Sequence, residues 1–404
     1  MNGTRMLADL DELATYGVDP GGGLSRLGFT AEEDSARRFL REAAGRAGLG
    51  STVDQAGNLF LHPGKALPDD PVVLMGSHVD TVRRGGRFDG AYGVVAALEV
   101  LRTLTEHDLP TRHAPVVVAF ANEEGARFPC PFWGSLAVTG QLDAAASTVD
   151  RAGHSIREPL ARAGGDLDAI GDAVWPPGAV GAYLELHIEQ GPVLESRGVP
   201  IGVVTGIVGR AIVEFDVRGR QNHAGTTPMD QRRDALVAAA KLVLRIEALS
   251  AERNLCAVST VGELGVEPGQ ANVVPGRARL TAEIRDLDAA RLEVAEAVLR
   301  EEAARIARET GVGIECVTTM RSAPVRTAPP LRAAIEAAAA DLALPAMAMP
   351  SGAGHDAQLI AAVAPVGMIF VPSRGGISHA PEEYTAPTHL VAGANVLLHA
   401  ALRA

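Results

Sequence analysis

His78, Asp89, Glu124, His187 and His379 are spread from position 78 to position 379, yet each follows an apolar run at a place where a parallel strand should end. Imidazole and carboxylate suit borderline divalent ions such as zinc. Ligands of this type gathered at strand ends describe a hydrolytic site holding two cations. In such a site one carboxylate bridges ions about 3.5–4 Å apart, which share an activated water. The sharpest segment is Gly76-Ser77-His78-Val79-Asp80-Thr81-Val82, followed by Gly85-Gly86-Arg87-Phe88-Asp89-Gly90. Asp89 is the natural bridge.

The other segments divide the labour. His78 and Asp80 are two apart, so on an extended strand end they point the same way, and Asp80 is placed to orient a metal-bound imidazole. On its own this short motif is weak evidence, and a satisfied loop histidine is the more common reading. Glu123 and Glu124 close an apolar strand; one carboxylate can bind metal while the other takes a proton from the activated water. Taken alone, that pair is a solvated acidic turn. His187 stands before Glu189-Gln190-Gly191, and His379 lies in the Gly-rich stretch Ser373 to Pro381. Four strand-end clusters of consistent ligand type make coincidence improbable. His62, His107, His113, His154, His389 and His399 lack an acidic or Gly-rich companion and are expected on the surface or in helices. His355, in Gly352-Ala353-Gly354-His355-Asp356, is placed to line a pocket without binding metal.

A second group has a different use. Asn222 to Asp230 is a polar turn expected to run into a helix with Asp230 as its N-cap, and turn chemistry leaves its His223 unexplained. An imidazole there can donate to a developing oxyanion, and Asn272 offers a second donor. Arg285 can clamp a substrate carboxylate through two parallel bonds; a salt bridge to Asp286 or Asp288 is the plainer alternative.

The elements that must position these groups fall into two styles. From about residue 30 to 205, strands (71–75, 114–121, 181–188) alternate with helical stretches such as 90–106, which implies an α/β sheet covered on both faces with its ligands at the strands' C-terminal ends. Residues 208 to 320 instead read strand 211–217, helix 230–249, strands 255–262 and 278–286, helix 288–310 and a short strand. That βαββαβ order is ferredoxin-like. After residue 327 a helix, the 351–356 turn, a strand at 366–371 and a final helix return to the first style. The expected division is therefore 1–207 with 321–404 as the catalytic domain and 208–320 as an insertion.

The 404 residues, 47% hydrophobic and 21% charged, suffice for a large core in more than one domain. A net charge of −12 argues against a nucleic-acid binder, which needs a basic face. Cys130, Cys256 and Cys316 match no zinc knuckle. The start of the chain has no basic and apolar leader, and no run reaches the roughly 18 apolar residues of a membrane span. No membrane partner and a cytoplasmic location are the expectation.

With these residues in hand, the set Gly76 to Thr81, Phe88-Asp89-Gly90, Asn122-Glu123-Glu124-Gly125-Ala126-Arg127-Phe128, His187 to Gly191, Asn222 to Met229 and Ser378-His379-Ala380-Pro381 resembles the hydantoinase/carbamoylase branch of the M20 metallohydrolases. The match spans nearly the whole chain in order. The resemblance implies an α/β fold: a mixed sheet flanked by helices carrying two metals, with an inserted ferredoxin-like α+β domain serving as lid and dimerisation surface. It implies that His78, Asp89, Glu124, His187 and His379 hold two zinc, manganese or cobalt ions, with Asp89 bridging. Glu123 becomes the general base and Asp80 the orienting carboxylate. Gln190, His223, Asn272, Arg285 and Gly354 fall where family members hold substrate, His223 reaching the partner subunit of a homodimer. The implied reaction is hydrolysis of the ureido C–N bond of an N-carbamoyl-L-amino acid to the amino acid, CO2 and NH3. Allantoate, ureidoglycolate and N-carbamoyl-β-alanine are the alternative substrates within the branch. An N-acyl-amino acid deacylase or aminopeptidase on the same scaffold is a second enzymatic alternative. A non-catalytic binding protein is the third, and the complete ligand set argues against it.

Overall fold

The computed structural model describes residues 1–68, 70–143 and 148–404. The chain divides into two compact units, Met1–Thr205 with Thr327–Ala404, and Gly206–Arg326.

The first unit is built on a mixed sheet. Its strands run Gly50–Val53, Leu59–His62, Ala114–Phe120, Val72–His78, Val180–Ile188, Val366–Val371 and Ile201–Ile207 across the sheet, with Ala346–Ser351 also paired to the last of these. The four central strands, from Ala114–Phe120 to Val366–Val371, are parallel. They are also the ones with continuous apolar, buried sequence, as strands covered on both faces must be. The outer pairs are antiparallel. Residues 201–207 and 346–351 add strands that the motif reading does not anticipate, because short antiparallel edge strands carry little periodic signal.

Helix Ala91–Glu106 is apolar around most of its circumference and almost wholly buried. Such a helix must be covered on several sides. It packs on the parallel strands and under helices Gly3–Leu13 and Pro387–Ala401, with the Tyr92 hydroxyl donating to the Leu390 carbonyl at 2.7 Å. The ladder fixes the strand ends relative to one another: His78 pairs with Phe120, and His187 with Phe370. Parallel pairing thereby brings His78, Glu124 and His187 to one edge of the sheet.

Gly76 is the tightest point of that arrangement. Its φ is +147°, and a Cβ there would lie 1.9 Å from the Val118 carbonyl oxygen of the neighbouring strand. Gly76→Ala must therefore push apart the two strands that carry His78 and Glu124. The expected cost is roughly 3 kcal/mol, read as a fall in thermal midpoint together with reduced cation uptake. An unchanged midpoint would show that the ladder yields there without strain.

The second unit is a four-stranded antiparallel sheet in the order Gly313–Ser322, Gly209–Arg218, Arg277–Asp286, Val258–Glu267. Helices Ala235–Ala251 and Ala289–Thr310 bury their apolar sides against one face of it. The period-2 burial of Arg277–Asp286 shows that one face is covered and the other is not. The order and helix placement are ferredoxin-like. Asp288 caps helix Ala289–Thr310, accepting from Ala290 N at 2.8 Å. The preceding helix does not start at Asp230. Met229–Gln231 form a single 3₁₀ turn, Arg232 turns extended, and Asp234 is the cap, accepting from Leu236 N and Val237 N at 3.0 and 3.1 Å. The cause is Arg232, whose guanidinium reaches back to the Thr227 and Ala224 carbonyls and so draws the chain out of helical conformation.

Candidate metal centre

Three of the proposed ligands ride on strand ends. His78 ends its strand, His187 is the last residue but one of Val180–Ile188 and Glu124 follows Ala114–Phe120, while Asp89 lies just before helix Ala91–Glu106 and His379 in the loop after Val366–Val371. The structure brings all five together. Asp89 Oδ1 lies 3.6 Å from His78 Nε2 and 3.2 Å from His187 Nε2. Its Oδ2 lies 3.2 Å from His379 Nε2, which is 3.4 Å from Glu124 Oε1. One oxygen of Asp89 therefore faces each pair. His78, Asp89 and His187 form one set able to hold an ion, and Asp89, Glu124 and His379 another.

These spacings suit cations. Metal–nitrogen and metal–oxygen bonds of about 2.0–2.1 Å place tetrahedral ligand atoms about 3.3 Å apart. The ring nitrogens are also prepared. His78 Nδ1 donates to the Asp80 carbonyl at 3.0 Å and His187 Nδ1 to the Ile188 carbonyl at 2.8 Å, which leaves both Nε2 atoms directed at Asp89.

Electrostatics point the same way. Burial and the adjacent Glu124 hold the Glu123 carboxyl well above its usual range, and burial with Asp89 raises Glu124 to about 8. Burial would raise Asp89 as well, but hydrogen bonds to His187 and His379 hold it well below the usual range. Burial lowers His187 and the Asp89 contact more than offsets it, giving about 9; the Asp89 bond likewise carries His379 to about 9. Burial takes His78 down to about 4. Crowded buried carboxylates that must share protons are the environment a divalent ion relieves.

Asp80 acts differently from the expectation. Its carboxylate oxygen lies 3.7 Å from His78 Nδ1, and both its oxygens are taken by backbone donors, Glu123 N and Glu124 N, each at 3.1 Å. The Asp80 carbonyl orients the imidazole, while its carboxylate fixes the two glutamates. Glu123 Oε2 sits 3.5 Å from His78 Nε2, at the edge of the centre. Gln190, at φ +58°, donates to Asp89 Oδ2 at 2.7 Å. Gly354 lies against Phe132, whose Cζ would be 2.9 Å from an added Cβ.

The remaining expected substrate residues belong to the second unit. Asn222–His223 pairs with Val273–Val274, and Ala224 N donates to the Asn272 carbonyl, so His223 and Asn272 share one exposed ribbon. His223 Nδ1 accepts from Gly225 N at 3.1 Å and Thr226 N at 3.2 Å. Two donors on one ring nitrogen require its lone pair, so Nε2 carries the ring proton and is the outward donor. Arg285 pairs with Glu283, at 2.7 Å, and Asp286 is taken by Arg291. Residues two apart on a strand share a face, which is why Glu283 rather than Asp286 or Asp288 is the partner.

Sequence reasoning passed over Glu185 and gave no partners for Asp356 or His355. Glu185, two residues before His187 and on the same face, accepts from Ser77 Oγ at 2.7 Å and Ala357 N at 2.9 Å. A charged residue inside an apolar strand was the signal for it. Asp356 accepts from Ser135 Oγ at 2.6 Å. His355 is buried, its ring 4.7 Å from that of His187 and its Nε2 2.8 Å from Ser351 Oγ. His62, expected at the surface or in a helix, is a buried residue of strand Leu59–His62, packed against Gly50. Among the described residues no helix is long and apolar enough to cross a membrane.

Residues 74–403 match the model of peptidase family M20/M25/M40. The chain is 43% identical to the N-carbamoyl-L-amino acid amidohydrolase of Geobacillus stearothermophilus, over 99% of this chain and 98% of that one. It is 36% identical to the allantoate amidohydrolase of Bacillus subtilis, over 96% and 94%. Among solved structures it is similar to a hydantoinase/carbamoylase family amidase from Burkholderia multivorans, with a TM-score of 0.90 and 38% identity, covering 99% of this chain and 97% of that one.

Proposed function

The chain belongs to the M20/M25/M40 peptidase family, and from that premise we propose that it hydrolyses the ureido C–N bond of N-carbamoyl-L-amino acids. One water is consumed, and an L-amino acid, CO2 and NH3 are released. The observation that carries this reading is the end-to-end likeness to the Geobacillus stearothermophilus enzyme; the division of Asp89 between two ligand pairs supplies the chemistry. His78, His187 and Asp89 would hold one divalent ion, and Asp89, Glu124 and His379 the other, with zinc, manganese or cobalt suiting the donors. Such ions would polarise a carbonyl oxygen and lower the pKa of a bound water to about 7.

The chain's own residues do the rest. Glu123, its backbone pinned by Asp80, takes a proton on its carboxylate from the attacking water and returns it to the leaving nitrogen. His223 Nε2–H and the Asn272 amide donate to the oxyanion. Gln190 donates to the substrate's polar groups, Gly354 leaves room beside Phe132, and Arg285 clamps the carboxylate. Arg285→Lys should raise KM at least tenfold with little loss of kcat, since a point ammonium does not reproduce the guanidinium fork. An unchanged KM would remove Arg285 from this role.

Homodimerisation through the inserted unit, with His223 serving the partner's site, belongs to the same proposal. Its support is the outer strand Val258–Glu267 and helix Ala235–Ala251, which expose Val258, Leu264 and Leu244 at 51%, 44% and 64%. A free edge with apolar neighbours is suited to pairing with a second copy.

Cation binding must displace the protons that His187, His379 and Glu124 hold in the cation-free chain at pH 7, their values being about 9, 9 and 8. Uptake should therefore release protons, and affinity should rise with pH until it levels off above pH 9. Calorimetric titration in buffers of different ionisation enthalpy measures this, and identical apparent heats would count against it.

The substrate is tested by ammonia release from manganese- or cobalt-loaded protein on N-carbamoyl-L-amino acids, N-carbamoyl-β-alanine, allantoate and N-acetyl-amino acids, each with a chelated control. Chelator-sensitive ammonia from the carbamoyl-L-amino acids is the expected result. Turnover of allantoate instead would favour the second reading, to which the Bacillus subtilis likeness points. Amino acid freed only from the N-acetyl compounds would reject both.

A further inference from the structure

The sheet fixes only part of the centre. His78, Glu124 and His187 ride on or beside strand ends locked by the parallel ladder, whereas Asp89 and His379 stand in loops that follow two strands separated by Val180–Ile188. One buried side chain joins those loops. Glu383, 5% exposed, accepts the backbone N–H of Phe88 at 2.8 Å and of Asp89 at 3.2 Å on Oε1. Its Oε2 lies 2.9 Å from Ser378 Oγ, which also lies 2.8 Å from Asp89 Oδ2. The sequence makes room for this carboxylate at Gly86, where a Cβ would sit 2.0 Å from Glu383 Cδ.

We propose that Glu383 is a positioning residue that ties the Asp89 loop to the His379 loop and so sets the separation of the two halves of the cation centre. It touches no reacting atom. Oε1 anchors the backbone of the shared ligand, Oε2 holds the residue next to His379, and the Ser378 hydroxyl carries the link back to Asp89 Oδ2. Without Glu383 the Phe88–Asp89 backbone and the Ser378 hydroxyl lose their common anchor, so the hydroxyl that meets Asp89 Oδ2 is no longer fixed in direction, while His379 keeps its contacts to Asp89 and Glu124. The inference rests on the two-cation reading given above.

The test is manganese titration of chelator-stripped full-length protein, followed by electron paramagnetic resonance. Wild type should take up two equivalents and show the exchange-coupled spectrum of paired ions. Glu383→Ala should bind manganese roughly tenfold to hundredfold more weakly and show only isolated ions. Glu383→Gln should restore both properties, because its amide oxygen still accepts the two N–H groups and its NH2 can donate to Ser378 Oγ. Gly86→Ala, which displaces the carboxylate from the other side, should behave as Glu383→Ala does and decides the matter if that variant does not fold. A merely structural glutamate would lower the thermal midpoint while leaving a coupled spectrum. Wild-type affinity and coupling in Glu383→Ala, or in Gly86→Ala, overturns the proposal alone. A wild type that never couples two ions overturns the two-cation centre and this inference with it.

Discussion

Glu123→Gln should lower kcat by roughly 10²–10⁴-fold, the usual contribution of a positioned general base, while KM and cation content stay near wild type. Several observations lead there. Glu123 is buried, its N–H is held by Asp80 Oδ1 at 3.1 Å and its carbonyl accepts Phe132 N at 2.8 Å. The backbone is thus fixed independently of the carboxylate, and an isosteric amide keeps the packing. What glutamine removes is a group able to take a proton beside the ligand set and give it up again. Glu124→Gln provides the contrast, since Glu124 faces His379 at 3.4 Å and its loss should appear first as reduced cation content. Measuring kcat and metal content on the same preparations separates the two glutamates. A fully loaded Glu123→Gln protein retaining kcat within about tenfold would contradict the base assignment.

The two adjacent glutamates also show how far the sequence could be read. Apolar runs ending in His78, Glu124 and His187 revealed both the parallel sheet and the edge at which it binds ligands, because buried parallel strands have no other way to be written. The βαββαβ order of the insertion was legible for a similar reason: its alternating strands and capped helices each declare their own period. Groups whose role depends on what lies across space were not legible. Glu383 acts on Asp89 through a contact spanning most of the chain, and nothing in Pro381-Glu382-Glu383-Tyr384 says which glutamate turns inward. Asp80 was recognised as a partner of the centre, but its carboxylate serves the Glu123–Glu124 backbone rather than the imidazole, a distinction made by 0.7 Å between the 3.7 Å and 3.0 Å contacts of His78 Nδ1. The Asp230 cap failed because Arg232, two residues on, bonds backward to the turn, and local propensity carries no account of that reach.

Asp89→Asn should abolish activity to the level of the chelated control and leave at most one tightly bound cation. Asp89 is the one residue common to the two ligand sets: His78 and His187 face its Oδ1, while His379, beside Glu124, faces its Oδ2. An amide retains one acceptor oxygen, turns the other side into a donor, and carries no charge, so it cannot present a lone pair to each pair of ligands. The loss extends to the protons. Asp89 is the group that raises His187 and His379 to about 9 in the cation-free chain, and without it both imidazoles should hold their protons less tightly. Asp89→Asn should therefore release fewer protons per ion bound as well as binding fewer ions. The two readouts can disagree: two equivalents retained with reduced proton release would mean that Asp89 sets the charge of the site without bridging it, and the two-cation arrangement would then have to be carried by Glu123 beside His78.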